Sequence, residues 1–148
     1  MVFKILFLVI FLTSFAKGLI SGLEPFLRML LQNGFSPEEI AIRHVQLQLA
    51  LSISSWLLLI ALLLLVYFLC KPLSLKNEYK GLLKALSLGS VIGIFLGSFL
   101  GFLLSDILNG KVPCLSCIAI HSLLMIPQAI LYILAGFFAA VLSYLRRS

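Results

Sequence analysis

Four long apolar stretches dominate this chain of 148 residues. The first runs from Phe3 to about Leu23, with Lys4 and Lys17 as its charged residues. About 21 residues of helix rise roughly 30 Å, the thickness of a bilayer core. Because the stretches do not alternate in polarity, they predict helices rather than barrel strands. We expect an all-α integral membrane four-helix bundle with helices over residues 3–23, 47–70, 81–108 and 114–144.

The composition agrees with a lipid environment. Hydrophobic residues make up 62% of the chain and charged residues only 11%. A soluble domain of this size has too much surface to bury so much apolar material. The net charge of +6 does not indicate nucleic-acid binding, because the basic residues collect at the predicted helix ends. We therefore expect one transmembrane domain over residues 1–148, with membrane lipid around it and no nucleic-acid partner.

The N-terminal stretch has two interpretations. Lys4, the apolar run 5–12 and the small residues Ser14 and Ala16 also fit a cleavable signal peptide. Apolar residues continue past Lys17, however, and the basic segment before the run is thin. We expect the segment to be kept as the first helix.

The connection over residues 24–46 is predicted to be a structured outer loop. Pro25 stands where a short amphipathic helix can begin, and residues 33–34 (Asn-Gly) supply a left-handed stop. Ser36 then precedes Pro37 and a glutamate three positions after Ser36, the pattern of an N-cap and capping box. The second helix is therefore expected to begin near Pro37 and to enter the bilayer around Leu47, where the predicted span begins.

The distribution of charge predicts the orientation. Residues 71–84 carry four lysines against one glutamate, and the C-terminus carries two arginines. Residues 24–48 carry three acidic and two basic residues, and the third connection has Asp106 against Lys111. By the positive-inside rule, both termini are cytoplasmic in a multi-pass protein of the cell membrane. The first and third connections then face outward.

The third stretch carries one glycine every four residues, at Gly89, Gly93, Gly97 and Gly101. This spacing lets another helix backbone approach closely in lipid. An alternative is that the bare face at Gly97 and Gly101 leaves room for a flat ligand. In that case Phe99, Phe102 and Trp56 are the aromatic residues expected to line the ligand site.

The three cysteines differ in position. Cys70 lies at the opposite end of the bundle from the other two and is expected to be an inert thiol. Cys114 and Cys117 form a C-x-x-C pair at a predicted helix start, close enough for a disulfide. Free amides and the positive dipole end stabilise a thiolate there, most strongly at Cys114. An outward position favours disulfides, so the pair is predicted to be redox-active.

Other interpretations of the pair stay open. One is a static structural disulfide, and another is a metal site formed by Cys114, Cys117 and His121, which lacks an obvious fourth ligand; we expect no metal. His121 follows Cys117 by four positions and shares its helix face. It is expected to donate a hydrogen bond or pass a proton near Cys117. Alternatively, it bonds a polar neighbour such as Gln48, Ser52 or Ser98.

The order of third helix, short outer connection, C-x-x-C and fourth helix resembles the vitamin K epoxide reductase family. It is most similar to the microbial disulfide-forming members, which are functionally DsbB-like. The resemblance covers residues 81–140 and, by helix count, the whole chain. It implies a thiol-disulfide oxidoreductase that exchanges electrons between an extracytoplasmic thioredoxin-like dithiol and a quinone of the ubiquinone or menaquinone type. Cys114 would exchange with partner thiols, and Cys117 would react with the quinone.

Two positions depart from the family pattern. His121 stands where animal members have a tyrosine that binds the quinone oxygen. A hydrogen-bond donor is therefore kept, but a histidine side chain has a different pKa from a tyrosine side chain. Residues 24–48 contain no cysteine, although many members have a shuttle pair in this loop; Ser36 is the nearest match to the loop's hydroxyl residue. A partner would then attack the Cys114–Cys117 disulfide directly. The alternative function is a non-enzymatic membrane subunit or assembly factor with a structural disulfide.

Overall fold

The computed structural model of the protein describes residues 2–32, 36–69 and 75–147, and this part of the chain is almost entirely helical. An Ile126–Pro127 turn separates the last two helices, which together make the fourth span. All four spans are long and apolar enough to cross a membrane, so the predicted all-α four-helix membrane bundle is confirmed. The helices are α1 (Val2–Gln32), α2 (Pro37–Leu69), α3 (Leu75–Leu108), α4 (Leu115–Met125) and α5 (Gln128–Arg147).

The first helix is longer than predicted. We expected it to end near Leu23 and a separate short helix to follow, but α1 continues through Pro25 to Gln32. Arg28 pairs with Glu24 at 2.6 Å, one turn apart, so an ion pair spans the proline position and supports the continuous helix. The predicted stop at residues 33–34 lies outside the described residues.

The second helix begins where the sequence indicated. The hydroxyl of Ser36 accepts a hydrogen bond from the backbone N–H of Glu39 at 3.3 Å, and its carbonyl accepts from Ile40 at 2.9 Å. Pro37 occupies the first helical position, where its missing N–H costs nothing. Ser36 is therefore the N-cap of α2. Cys70, at the predicted end of this helix, lies outside the described residues.

A continuous seam joins α1 and α3. A Cβ on Gly18 would lie 2.6 Å from the carbonyl oxygen of Ile94, and one on Gly22 would lie 2.7 Å from the backbone nitrogen of Phe102. The hydroxyl of Ser105 also donates to the carbonyl of Gly22 at 2.8 Å. Because the two backbones are in direct contact, the prediction of close helix packing along the glycine face is confirmed.

The two ends of the bundle are packed differently. Buried apolar residues fill the end where α1 begins and α5 ends, which we call the core end; Leu6, Leu62, Leu86 and Ala140 belong to this cluster. The opposite end, where α4 begins, we call the disulfide end. There α2 packs against α1, and α4 packs against α3.

The fourth span is bent near its middle. Pro127 has no N–H to donate to the preceding turn, and the N–H of Ile126 bonds to the carbonyl of Leu123 at 3.2 Å, three residues back. Ala129 bonds to Ile126 at 2.8 Å with the same spacing. We predicted one unbroken helix over residues 114–144, whereas this tightened turn divides it into α4 and α5.

Candidate functional site at the Cys114–Cys117 disulfide

Cys114 and Cys117 form a disulfide at the start of α4, with Cα atoms 5.2 Å apart. Cys114 is the N-cap of this helix, and its sulfur accepts a hydrogen bond from the backbone N–H of Cys117 at 3.3 Å. Both side chains are exposed. The sulfur of Cys114 thus lies at the positive end of the helix dipole, which stabilises a thiolate once the bond opens. The predicted disulfide pair is present; its redox activity stays a prediction.

Cys117 also borders a cavity of about 300 Å³, which we call the cysteine chamber. His121 lies on the same helix face, and its ring centroid is 5.7 Å from that of Phe102 on α3. Cys117 and His121 therefore line the same cavity, and the role of His121 stays a prediction. The residues that line the chamber are Pro25, Phe102, Asp106, Cys117, Ile118 and His121.

Two of the three polar neighbours proposed as alternative partners of His121, Gln48 and Ser98, have other bonds. Gln48 accepts a hydrogen bond from Arg28 at 2.9 Å. The hydroxyl of Ser98 donates to the carbonyl of Ile94 within α3. His121 itself is exposed toward the chamber side of α4, so its ring nitrogens are accessible to a molecule beside Cys117.

The structure corrects our assignment of Gly97 and Gly101 as ligand-binding positions. A Cβ on Gly97 would overlap the carbonyl oxygen of Phe15, and one on Gly101 would lie 2.7 Å from the carbonyl oxygen of Leu19. The backbone of α1 therefore fills the space in front of this face. No gap remains there for a flat ring, because α1 packs directly against this face of α3.

A second and larger cavity of about 690 Å³ is bounded mainly by α1 and α2, and Phe102 of α3, Met125 of α4 and Gln128 of α5 complete its wall; we call it the polar cavity. It shares Pro25 and Phe102 with the cysteine chamber, so the two spaces adjoin. Phe102 and Trp56, two of the three aromatic residues expected to line a ligand site, are in its wall. Its polar wall is formed by Lys17, Ser21, Glu24 and Arg28 of α1 and by Gln48, Ser52 and Ser55 of α2.

Hydrogen bonds connect the polar residues of α1 with those of α2 across this cavity. Arg28 donates to Gln48 at 2.9 Å and contacts Nδ1 of His44 at 3.3 Å. Deeper in the bundle, the ammonium of Lys17 donates to the hydroxyl of Ser55 at 2.6 Å. Sequence reasoning missed this cavity. The available signal was polar residues recurring every three or four positions within two otherwise apolar helices.

A third cavity of about 290 Å³ continues from Lys17 toward the core end; we call it the deep cavity. Its polar residues come from three helices and include Gln128, directly after the Pro127 turn, and Tyr132 one turn further on. Tyr132 is 2% exposed, and its hydroxyl has no hydrogen-bond partner among the described residues. The complete lining is Lys17, Ser55, Trp56, Leu59, Gln128, Leu131 and Tyr132.

The metal interpretation gains no support from the geometry. In the part of the chain that the structure describes, no three His, Cys, Asp or Glu side chains are placed to hold a metal ion together. Cys114 and Cys117 are also bonded to each other, which removes both thiolates as ligands.

Comparisons with protein families, curated proteins and solved structures found no match for this chain.

Proposed function

We propose that the protein is a membrane thiol-disulfide oxidoreductase of the vitamin K epoxide reductase type. It passes electrons between an extracytoplasmic thioredoxin-like dithiol and a membrane quinone. One observation carries the proposal: Cys117 belongs to an exposed disulfide and also lines a cavity bounded by α1, α3 and α4. Such a pair is accessible both to thiols in water and to an acceptor dissolved in lipid.

Cys114 is the proposed point of exchange with the partner. A partner thiolate attacks Sγ of Cys114, a mixed disulfide forms, and Cys117 leaves as a thiolate. The second partner thiol then attacks the partner sulfur of the mixed disulfide, so the partner becomes oxidised and Cys114 is released. The helix dipole at the start of α4 stabilises the released sulfur, because Cys114 is the N-cap.

The cysteine chamber fits the head group of a quinone in size and chemistry. Its volume of about 300 Å³ is at the lower end of the range for small-molecule sites, roughly 300–1,000 Å³. Phe102 and Ile118 supply apolar walls, Cys117 supplies a nucleophile, and His121 supplies a hydrogen-bond donor. A quinone takes up two electrons and two protons. His121 is positioned to hold a proton at the acceptor oxygen, while Cys114 reforms the disulfide with Cys117 and loses its own proton.

The proposed orientation follows from charge. Lys80 and Lys84 of α3 and Arg146 of α5 belong to the core end, whereas the disulfide is at the other end. The positive-inside rule assigns the core end to the cytoplasm of a cell-membrane protein. The disulfide end then faces an oxidising compartment, as the proposed partner requires. Since residues 24–48 hold no cysteine, the partner acts on Cys114 directly.

An anaerobic thiol assay tests the proposal. The purified protein is reduced, freed of reductant and mixed with a short-chain quinone, and free thiols are counted over time. We expect the loss of two thiols per chain and the formation of one quinol. Cys117→Ala abolishes this reaction, whereas Cys70→Ala leaves it unchanged and so controls for mutation of a cysteine as such.

The same assay separates the proposal from its alternative. If the reduced wild-type protein keeps both thiols in the presence of quinone, the proposal is wrong. The protein is then better described as a non-enzymatic membrane subunit or assembly factor whose disulfide fastens the start of α4.

A further inference from the structure

The deep cavity presents hydrogen-bond donors at a depth where water is scarce. Lys17 lies near the middle of the first span, and its ammonium carries three N–H groups, of which one bonds Ser55 at 2.6 Å. A charged residue at this depth is costly and marks a functional position by default. The lining of the deep cavity includes no acidic side chain among the described residues; the carboxylate that interacts electrostatically with Lys17 is that of Glu24, in the adjoining polar cavity. The N–H groups of Lys17 that do not bond Ser55 can therefore donate to a ligand that brings an acceptor oxygen.

Tyr132 gives a second, independent indication of a ligand. Its side chain is 98% buried, because only 2% is exposed, and it lines the deep cavity. Its hydroxyl has no partner among the described residues, although buried hydroxyls are normally hydrogen-bonded. Gln128 also lines the cavity, and its amide is near only the weak acceptor sulfur of Met125, at 3.9 Å. Three side chains thus have donor capacity that the protein does not use.

The apolar part of the wall indicates how a ligand arrives. Trp56 and Leu131 line the cavity and are 65% and 56% exposed on the lipid-facing surface of the bundle. The cavity therefore opens toward lipid. A ligand with an apolar body is soluble there, and only its oxygen-bearing end needs the donors of Lys17 and Tyr132.

This cavity is separate from the site of thiol chemistry. Gln128 follows Cys117 by eleven positions, which corresponds to roughly 16 Å along a helix axis. Reacting atoms must come within about 3.5 Å of each other. A molecule bound by Lys17 and Tyr132 therefore does not exchange electrons with Cys117 by direct contact.

We propose that the deep cavity is a binding site, distinct from the cysteine chamber, for a lipid-dissolved molecule whose acceptor oxygen bonds Lys17 and Tyr132. A quinone carbonyl and a fatty-acid carboxylate both provide this chemistry. The proposal does not depend on the thiol reaction, because the site is defined by its own donors and its own opening to lipid.

The single tryptophan makes binding measurable. Trp56 is in the cavity wall, and a quinone ring in contact with an indole quenches its fluorescence. The oxidised protein, with its disulfide intact, is titrated with a short-chain benzoquinone, so no electrons are available for turnover. In a second arm, a saturated fatty acid is added to the quinone-bound protein, and recovery of fluorescence reports displacement.

We expect saturable quenching in the wild-type protein. Lys17→Met should weaken quinone binding at least tenfold, and Tyr132→Phe about threefold to fivefold, since the latter removes only one hydroxyl. Lys4→Met removes an exposed lysine from the same helix and should leave the affinity unchanged. Displacement by the fatty acid shows that the site accepts a carboxylate as well, and failure to displace shows preference for the quinone carbonyl.

Two results would overturn the proposal. One is quenching that rises linearly without saturation in the wild-type protein. The other is an affinity that changes less than twofold in both Lys17→Met and Tyr132→Phe. If Lys17→Met does not fold, Tyr132→Phe decides alone, because it keeps the ring and the shape of the wall. A failed thiol assay with intact deep-cavity binding would contradict the proposed oxidoreductase and leave this site standing.

Discussion

At the scale of single residues, the two sulfurs of the disulfide have different surroundings. Cys114 caps α4 and does not line the cysteine chamber, whereas Cys117 lines it one turn before His121. This division suits a pair in which one sulfur exchanges with a protein and the other with a small acceptor. Of the two histidines, His121 lines the chamber and His44 does not, so the contribution of His121 can be tested separately from that of the cysteines.

Replacing His121 with phenylalanine should slow thiol oxidation by quinone about 10- to 100-fold, because a proton donor at the acceptor oxygen is lost. The exchange of thiols with a dithiol partner at Cys114 should be unaffected. Both rates are measured on the purified protein, the first by thiol loss and the second by trapping the mixed disulfide. His44→Phe changes the second histidine, which does not line the chamber, and serves as the control.

Equal slowing of both rates by His121→Phe would contradict this role. It would indicate that His121 supports the start of α4 rather than the acceptor.

At the scale of the helices, the seam between α1 and α3 dominates the packing. Gly97→Ala places a methyl group against the carbonyl of Phe15, and neither backbone can yield without moving its helix. We expect a loss of about 1–3 kcal/mol in the free energy of unfolding, measured by denaturant titration in a mild detergent.

Gly136→Ala is the matched control for this prediction. The three atoms nearest to its added methyl group all belong to the Leu86 side chain, and a side chain can shift more easily than a helix backbone. The gain in helix propensity, up to about 1 kcal/mol, should then offset most of the cost. Equal destabilisation by the two substitutions would show that the seam has no special role.

The sequence predicted part of this arrangement for clear reasons. Long apolar runs define four spans, and the Ser36-Pro37 pattern defines the start of α2, because both signals are local. The continuation of α1 through Pro25 was missed, although one signal for it, the Glu24–Arg28 pair one turn apart, is local. The contact of Arg28 with Gln48 of α2 is long-range and was not readable from the sequence. The polar cavity was also missed. In the sequence, Lys17 is only a charged residue within an apolar run. Its hydrogen-bond partner Ser55 lies on another helix and is identified only by the structure.

At the scale of the whole molecule, the proposed orientation predicts which thiols are accessible from outside. After mild reduction of intact cells, a membrane-impermeant thiol reagent should label Cys114 and Cys117, since both are exposed at the disulfide end. A Cys114→Ser, Cys117→Ser double variant keeps Cys70 and should remain unlabelled until the cells are permeabilised. Labelling of the pair only after permeabilisation would reverse the orientation.

The seam between α1 and α3 also determines how the molecule can deform. Two helices in backbone contact along their length behave as one stiff body, because sliding or separating them breaks many contacts together. All three cavities are bounded on one side by this body and on the other by α2 or by the bent fourth span. The volume available to a ligand in each cavity therefore depends on the positions of α2 and of the fourth span relative to the rigid α1–α3 pair.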